Sequence, residues 1–201
     1  LVDYGGGTSY TQATILSALT AIGTVNKKVL LLRPGTWVLS SNADYSSYTN
    51  VTWKLPPGAV FQIATGTTLQ LGGPLDTGTH QIFSCIGTGA VSFGSNGFVK
   101  KFYADWWGAS SSATAAANAV AFQAATIAIP AGGILEILPF TYSLSVGTLY
   151  TTKVFHLATN KVTVEGHGEA SVLSFVPAAN GDVLANVIGT DITFRNFKAL
   201  L

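Results

Sequence analysis

The chain repeats itself at an offset of 105 residues without gaps, and this restricts its fold more than any other feature. Ile15, Leu19 and Ile22 fall on Val120, Ala124 and Ile127. Each set is an i, i+4, i+7 apolar stripe, which predicts one face of a short helix in both copies. After a break, Val29-Leu30-Leu31-Leu32 falls on Ile134-Leu135-Glu136-Ile137, an apolar strand. Pro34-Gly35-Thr36-Trp37-Val38-Leu39-Ser40 then falls on Pro139-Phe140-Thr141-Tyr142-Ser143-Leu144-Ser145. The unit is therefore helix, turn, strand, Pro-led corner, strand.

Beyond each unit, short β segments alternate with Gly, Asn or Asp. In the first copy they are expected near Val51 to Leu55, Ala59 to Ile63, Thr68 to Leu71, Gln81 to Ile86, Ala90 to Phe93 and Phe98 to Phe102. In the second they are expected near Lys153 to Leu157, Lys161 to Glu165, Ser171 to Phe175, Asp182 to Ile188 and Asp191 to Phe194. A β-sandwich has the same strand spacing. The preceding helix favours a stack of β coils, because such a stack exposes an apolar, hydrogen-bonding end that an amphipathic helix can cover. The expected fold is mainly β: a right-handed parallel β-helix with short N-terminal capping α-helices, in two tandem modules. The first spans residues 1–104 and the second 105–201, the latter expected to be truncated.

Composition agrees with an all-β surface protein. Hydrophobic residues make up 48% and charged ones only 9%, against the quarter usual in soluble proteins. Ser, Thr, Asn and 22 Gly must supply the missing polarity, as suits short strands joined by tight turns. A net charge of +1 with scattered Lys and Arg offers no field for a polyanion, so nucleic acid is not an expected partner. Cys85 is the single cysteine, so no internal disulfide or thiolate cluster forms, and it reads as a small buried hydrophobe. No Met and no signal-like start occur, so the chain reads as a processed or excised piece. The uncharged run from Trp106 to Leu135 is long enough to cross a bilayer. Asn118, Gln123, its hydroxyl residues and its reliance on Ala make it a poor membrane span.

These residues carry a family likeness. Ala104-Asp105-Trp106-Trp107-Gly108-Ala109, the Ala-rich helix, Ile129-Pro130-Ala131-Gly132-Gly133-Ile134-Leu135-Glu136-Ile137 and Phe140-Thr141-Tyr142-Ser143-Leu144 follow in order. Together they resemble the opening of pectate-lyase-superfamily β-helices, which occur in phage tailspikes and polysaccharide-degrading enzymes. Val162 to Leu173, containing Gly166-His167-Gly168, looks like a first full coil, and Asp191 to Phe197 like the next. Family openings usually carry acidic residues before the helix; here Gly5 to Thr11 and Ser110 to Thr114 stand there, so hydroxyls are expected to cap. Family enzymes usually place catalytic residues on later coils, so the resemblance also implies that catalysis need not reside in this stretch.

Glycoside hydrolysis needs two carboxyl groups roughly 5 to 10 Å apart. Glu165 and Glu169, flanking Gly166-His167-Gly168, are the candidate pair, with a solvated corner as the plain alternative. Asp182 and Asp191 read as turn residues. His80, His156 and His167 are too scattered for a metal site, no calcium-type Asp cluster is visible, and no cofactor is expected. Sugar rings stack on exposed aromatic faces, which singles out Tyr45, Tyr48 and Trp53 around the polar stretch Asn42 to Asn50. Trp106 and Trp107 are expected to be packed instead. Asn50-Val51-Thr52 is an N-glycosylation acceptor pattern, relevant only to secretion from a eukaryote.

Three functions follow as expectations. The first is a structural, glycan-contacting segment of a secreted or virion-surface fibre or tailspike-like protein. The second is the N-terminal part of a polysaccharide lyase or glycoside hydrolase. The third is a self-assembling filament subunit. The expected partner is a polysaccharide or cell-surface glycan, with a homo-oligomer, trimer or filament, as the assembly.

Overall fold

A computed structural model of the chain describes residues 10–94, 98–146, 154–177 and 185–200. The protein is mainly β, with two α-helices among the described residues and parallel strands in several sheets. It divides into two compact units, Leu1–Val99 and Lys100–Leu201.

In the first unit, α1 (Gln12–Ile22) starts from Thr11, whose hydroxyl accepts a hydrogen bond from the Thr14 N–H. It stops at Gly23, whose φ of 69° suits glycine and whose N–H donates to the Leu19 carbonyl. Among the described residues nine strands follow: β1 (Lys28–Leu31), β2 (Gly35–Leu39), β3 (Ala43–Tyr45), β4 (Val51–Leu55), β5 (Ala59–Ile63), β6 (Thr68–Leu71), β7 (Leu75–Thr77), β8 (Phe83–Cys85) and β9 (Ala90–Phe93). Each of the first six pairs in parallel with the strand three places later, giving sheets β1-β4-β7, β2-β5-β8 and β3-β6-β9. The chain thus passes through three sheets in turn and advances one rung each time, a pattern compatible with a β-helix. Parallel neighbours normally need long crossovers, and here the other two sheets serve as the crossover.

Register stacks like on like. Trp37, Phe61 and Phe83 lie on successive rungs of one sheet, as do Leu39, Ile63 and Cys85. Phe61 and Phe83 stack at 6.2 Å, and Trp53 meets Phe61 edge-on at 6.1 Å. Between these inward residues Thr52, Gln62, Gln70, Ser84 and Ser92 point outward, so hydroxyls and amides supply the outer polarity that the low charge withholds. Cys85, expected to be buried, is half-buried. Corners are tight: a Cβ on Gly72 or Gly73 would collide with the carbonyl oxygens of Ser46 and Val51.

Strands β4, β5, β6 and β9 run as expected from sequence, while β3 lies within the polar stretch Asn42 to Asn50 and β7 where no strand was expected. Each is only three residues long, too short for alternation to register against flanking Asn, Gly and Pro. The strand expected at Phe98 to Phe102 forms instead as β10 (Lys101–Tyr103), the first strand of the second unit. That strand pairs with β11 (Ile134–Glu136), so the second unit begins before residue 105.

A 3-10 turn, Ala104–Trp107, buries both Trp106 and Trp107 and leads to α2 (Ala115–Ala128). Then come β12 (Thr141–Val146), β13 (Phe155–Leu157), β14 (Thr163–Glu165), β15 (Val172–Pro177), β16 (Ala185–Val187), β17 (Thr193–Arg195) and β18 (Lys198–Leu200). Sheets run β10-β11-β14-β17, β12-β15-β18 and β13-β16, all parallel. Lys161 and Asp191 precede β14 and β17 with φ near 60°, as turn residues, whereas Asp182 lies outside the described residues. No helix among the described residues is long and apolar enough to cross a membrane.

The helix stripe departs from the repeat. Val120 and Ile127, expected inward, are 57% and 52% exposed. The buried face of α2 includes Asn118, Ala121, Phe122 and Ala125, which lie 103 rather than 105 residues beyond Ile15, Ala18, Leu19 and Ile22. Caps obey the same shorter offset, since Thr114 accepts from the Ala117 N–H as Thr11 does from Thr14. In the strands the offset of 105 holds: Leu32 and Ile137, Trp37 and Tyr142, and Leu39 and Leu144 are all buried.

Beneath α2, the Tyr142 hydroxyl donates to the Asp105 carboxylate, with both oxygens at 3.0 to 3.1 Å. Burial pushes the Asp105 pKa up to about 6, against the pull of that hydrogen bond and a backbone one. The folded state therefore binds more protons than the unfolded chain between pH about 4 and about 6, and stability falls as pH rises through that window. Asp105→Asn keeps an acceptor for Tyr142 and removes the buried charge. It is expected to raise stability at pH 7.5 by roughly 1–3 kcal/mol and to flatten the slope between about pH 4 and 6. Urea midpoints of both proteins across that range check this, and a variant less stable than the parent at pH 7.5 would refute it.

Candidate functional site

Alternation in β10, β11 and β14 buries Phe102, Leu135 and Val164 and turns their neighbours outward, and β17 continues the register as an exposed rung. Register then aligns Tyr103, Glu136, Glu165 and Arg195 in one outward column, with rungs about 4.8 Å apart. A parallel column, Lys101, Ile134, Thr163 and Thr193, runs beside it.

Glu136 is the most engaged group. Lys101 Nζ lies 2.7 Å from its Oε2 and His167 Nε2 3.0 Å from its Oε1, while the Tyr103 hydroxyl donates to Oε2 at 3.4 Å. Only 12% of its side chain is exposed. Burial pulls its pKa up, but Lys101 and His167 together outweigh this and hold it below the usual carboxylate range. The same contact raises the Lys101 pKa. On the next rung Arg195 grips Glu165 with both Nε and an Nη, each at 3.1 Å, and Asn196 Nδ2 donates to the same carboxylate at 3.4 Å.

The corner Gly166-His167-Gly168 delivers the histidine. A Cβ on Gly166 would press on Asn196, Phe197 and Ser171, so only glycine lets the next coil settle there. Gly168 turns at φ 66°, and the His167 N–H donates to the Ser171 hydroxyl at 2.8 Å.

Of the expected carboxylates, Glu165 sits in this column, whereas Glu169 lies exposed in the short 3-10 turn Gly168–Ala170. The residue registered beside Glu165 is Glu136, which sequence reasoning passed over. Its signal was present: Leu135-Glu136, Val164-Glu165 and Phe194-Arg195 recur at intervals of 29 and 30 residues, the length of one coil.

The expected aromatic patch is corrected. Tyr45 and Trp53 are buried and stack on each other at 5.5 Å, because β3 and β4 turn them inward; burial pushes the Tyr45 hydroxyl up to about 12. Tyr48 is half-buried in the turn between those strands. Asn50, the glycosylation candidate, is also committed, since its Nδ2 donates to the carbonyls of Gly23 and Asn26 at 3.0 and 2.6 Å. His80 lies 3.1 Å from the Leu55 carbonyl oxygen, and among the described residues no three His, Cys, Asp or Glu side chains form a metal-ligand cluster.

Comparison of the chain with protein-family models, curated proteins and solved structures found no match. The column must be interpreted from its own chemistry. It presents two carboxylates, a guanidinium, an amide and an imidazole side by side on parallel strands, a mixture of hydrogen-bond donors and acceptors.

Proposed function

We propose that the chain is a rigid β-helix segment, right-handed and pectate-lyase-like in two tandem modules, that contacts glycan on a secreted or virion-surface fibre or tailspike-like particle. The three-strand periodicity and a helix ahead of most strands of each unit support the architecture. The observation that carries the function is the outward column Tyr103, Glu136, Glu165 and Arg195, held at strand spacing by register and by ion pairs. Assembly into a trimer or filament belongs to the same reading.

Glu136→Gln and Glu165→Gln are each expected to weaken retention on a dextran or galactomannan column about tenfold, about 1.4 kcal/mol, without loss of fold by circular dichroism. Unchanged retention in both variants would remove the column from the contact surface.

A second reading, glycoside hydrolysis, draws on two carboxylates standing on adjacent rungs. Lys101 and His167 keep Glu136 ionised, which suits a nucleophile or base and not a general acid. New reducing ends in a digest, lost in Glu136→Gln, would favour this reading over plain binding.

A further inference from the structure

We infer that the ligand of this column is a neutral, hydroxyl-rich glycan and not an acidic polysaccharide, an inference that rests on the glycan-contact reading. Each cation on the column already has an anion. Lys101 and His167 share Glu136 at 2.7 and 3.0 Å, and Arg195 holds Glu165 through two nitrogens. Two carboxylates cancel the two permanent cations, so the face has no net attraction for a uronate or sulfate. Such a group could reach only the donors that the ion pairs leave over, and there it would sit beside a carboxylate whose repulsion offsets the attraction of the cation. The first unit holds one comparable pair, Lys54 and Asp76 at 3.0 Å on neighbouring outward rungs.

Hydroxyl groups meet no such barrier. The Arg195 guanidinium has five N–H donors and uses two nitrogens on Glu165, leaving donors free, and each carboxylate oxygen accepts more than one hydrogen bond. Lys101 and Arg195 are 55% and 53% exposed, so their remaining donors face solvent. Thr163 and Thr193 add hydroxyls in the adjoining column. Pairing also fixes the geometry of these donors and acceptors, which lowers the ordering cost of binding.

The test uses the full chain against dextran and galactomannan as neutral probes and polygalacturonate as the acidic one. Binding is measured at about 0.1 M and about 1 M salt, where the screening length falls from about 10 Å to about 3 Å. A neutral probe is expected to bind at least about tenfold tighter than polygalacturonate and to change by less than about twofold with salt. Glu165→Gln releases Arg195 and is expected to gain about tenfold affinity for polygalacturonate at the lower salt only. Preferential, salt-sensitive binding of polygalacturonate by the parent, or no gain in Glu165→Gln, would overturn the inference while leaving glycan contact standing. Binding of no probe by the parent would overturn both.

Discussion

Phe61→Ala is expected to destabilise the first unit by about 3–5 kcal/mol, a large share of the 5–15 kcal/mol that holds a typical domain. Phe61 is fully buried at the middle of β5, on the middle rung of its sheet. Its ring stacks on Phe83 and meets Trp53 edge-on, so truncation opens a cavity bounded by coils on both sides. Those coils cannot collapse into it, because their spacing is set by backbone hydrogen bonds and by glycine corners such as Gly72 and Gly73. Gln62→Ala, one residue on but outward, is the control and is expected to stay within about 0.5 kcal/mol. Urea midpoints of the two variants compare them directly, and equal midpoints would deny the stacked core.

Asn118→Ala is expected to cost about 2–4 kcal/mol and to speed hydrogen exchange throughout α2. The side chain is fully buried yet makes three hydrogen bonds: Oδ1 accepts from the Ser110 N–H at 2.9 Å, and Nδ2 donates to the carbonyls of Ser110 and Ser143 at 3.0 Å each. It ties the helix both to the loop before it and to β12. Alanine would leave an N–H and two carbonyls without this partner around a buried position, where lost hydrogen bonds are costly. Asn118→Leu is expected to do no better, since added apolar volume restores none of the three bonds. Exchange of α2 amides at the parental rate in both variants would show that the asparagine does not pin the helix.

The same residue explains why the helix register was misread. An asparagine in the buried stripe breaks the apolar pattern, so Val120, Ala124 and Ile127 looked like the inner face while Asn118, Phe122 and Ala125 were the ones buried. Hydrophobic periodicity registers a polar residue as outward and cannot see hydrogen bonds supplied by Ser110 and Ser143. The aromatic patch failed for a related reason. Ala43-Asp44-Tyr45 alternates inward, outward, inward, but three residues among polar neighbours look like a loop until β6 is known to lie alongside.

The sequence by itself determined the local matters: mainly β structure, helices capped by threonine hydroxyls, most strand positions, and outer surfaces made polar by hydroxyls and amides. These follow from alternation, capping and turn chemistry, which act over a few residues. Only the tertiary structure decided which distant residues share a rung. Glu136 and Glu165 lie 29 residues apart, and Lys101, Tyr103, His167 and Arg195 join them solely because parallel register stacks one coil on the next. A one-residue slip in the pairing register of β11, β14 or β17 would turn that strand's member of the column inward, so the candidate site depends on the register and not on the coil length alone.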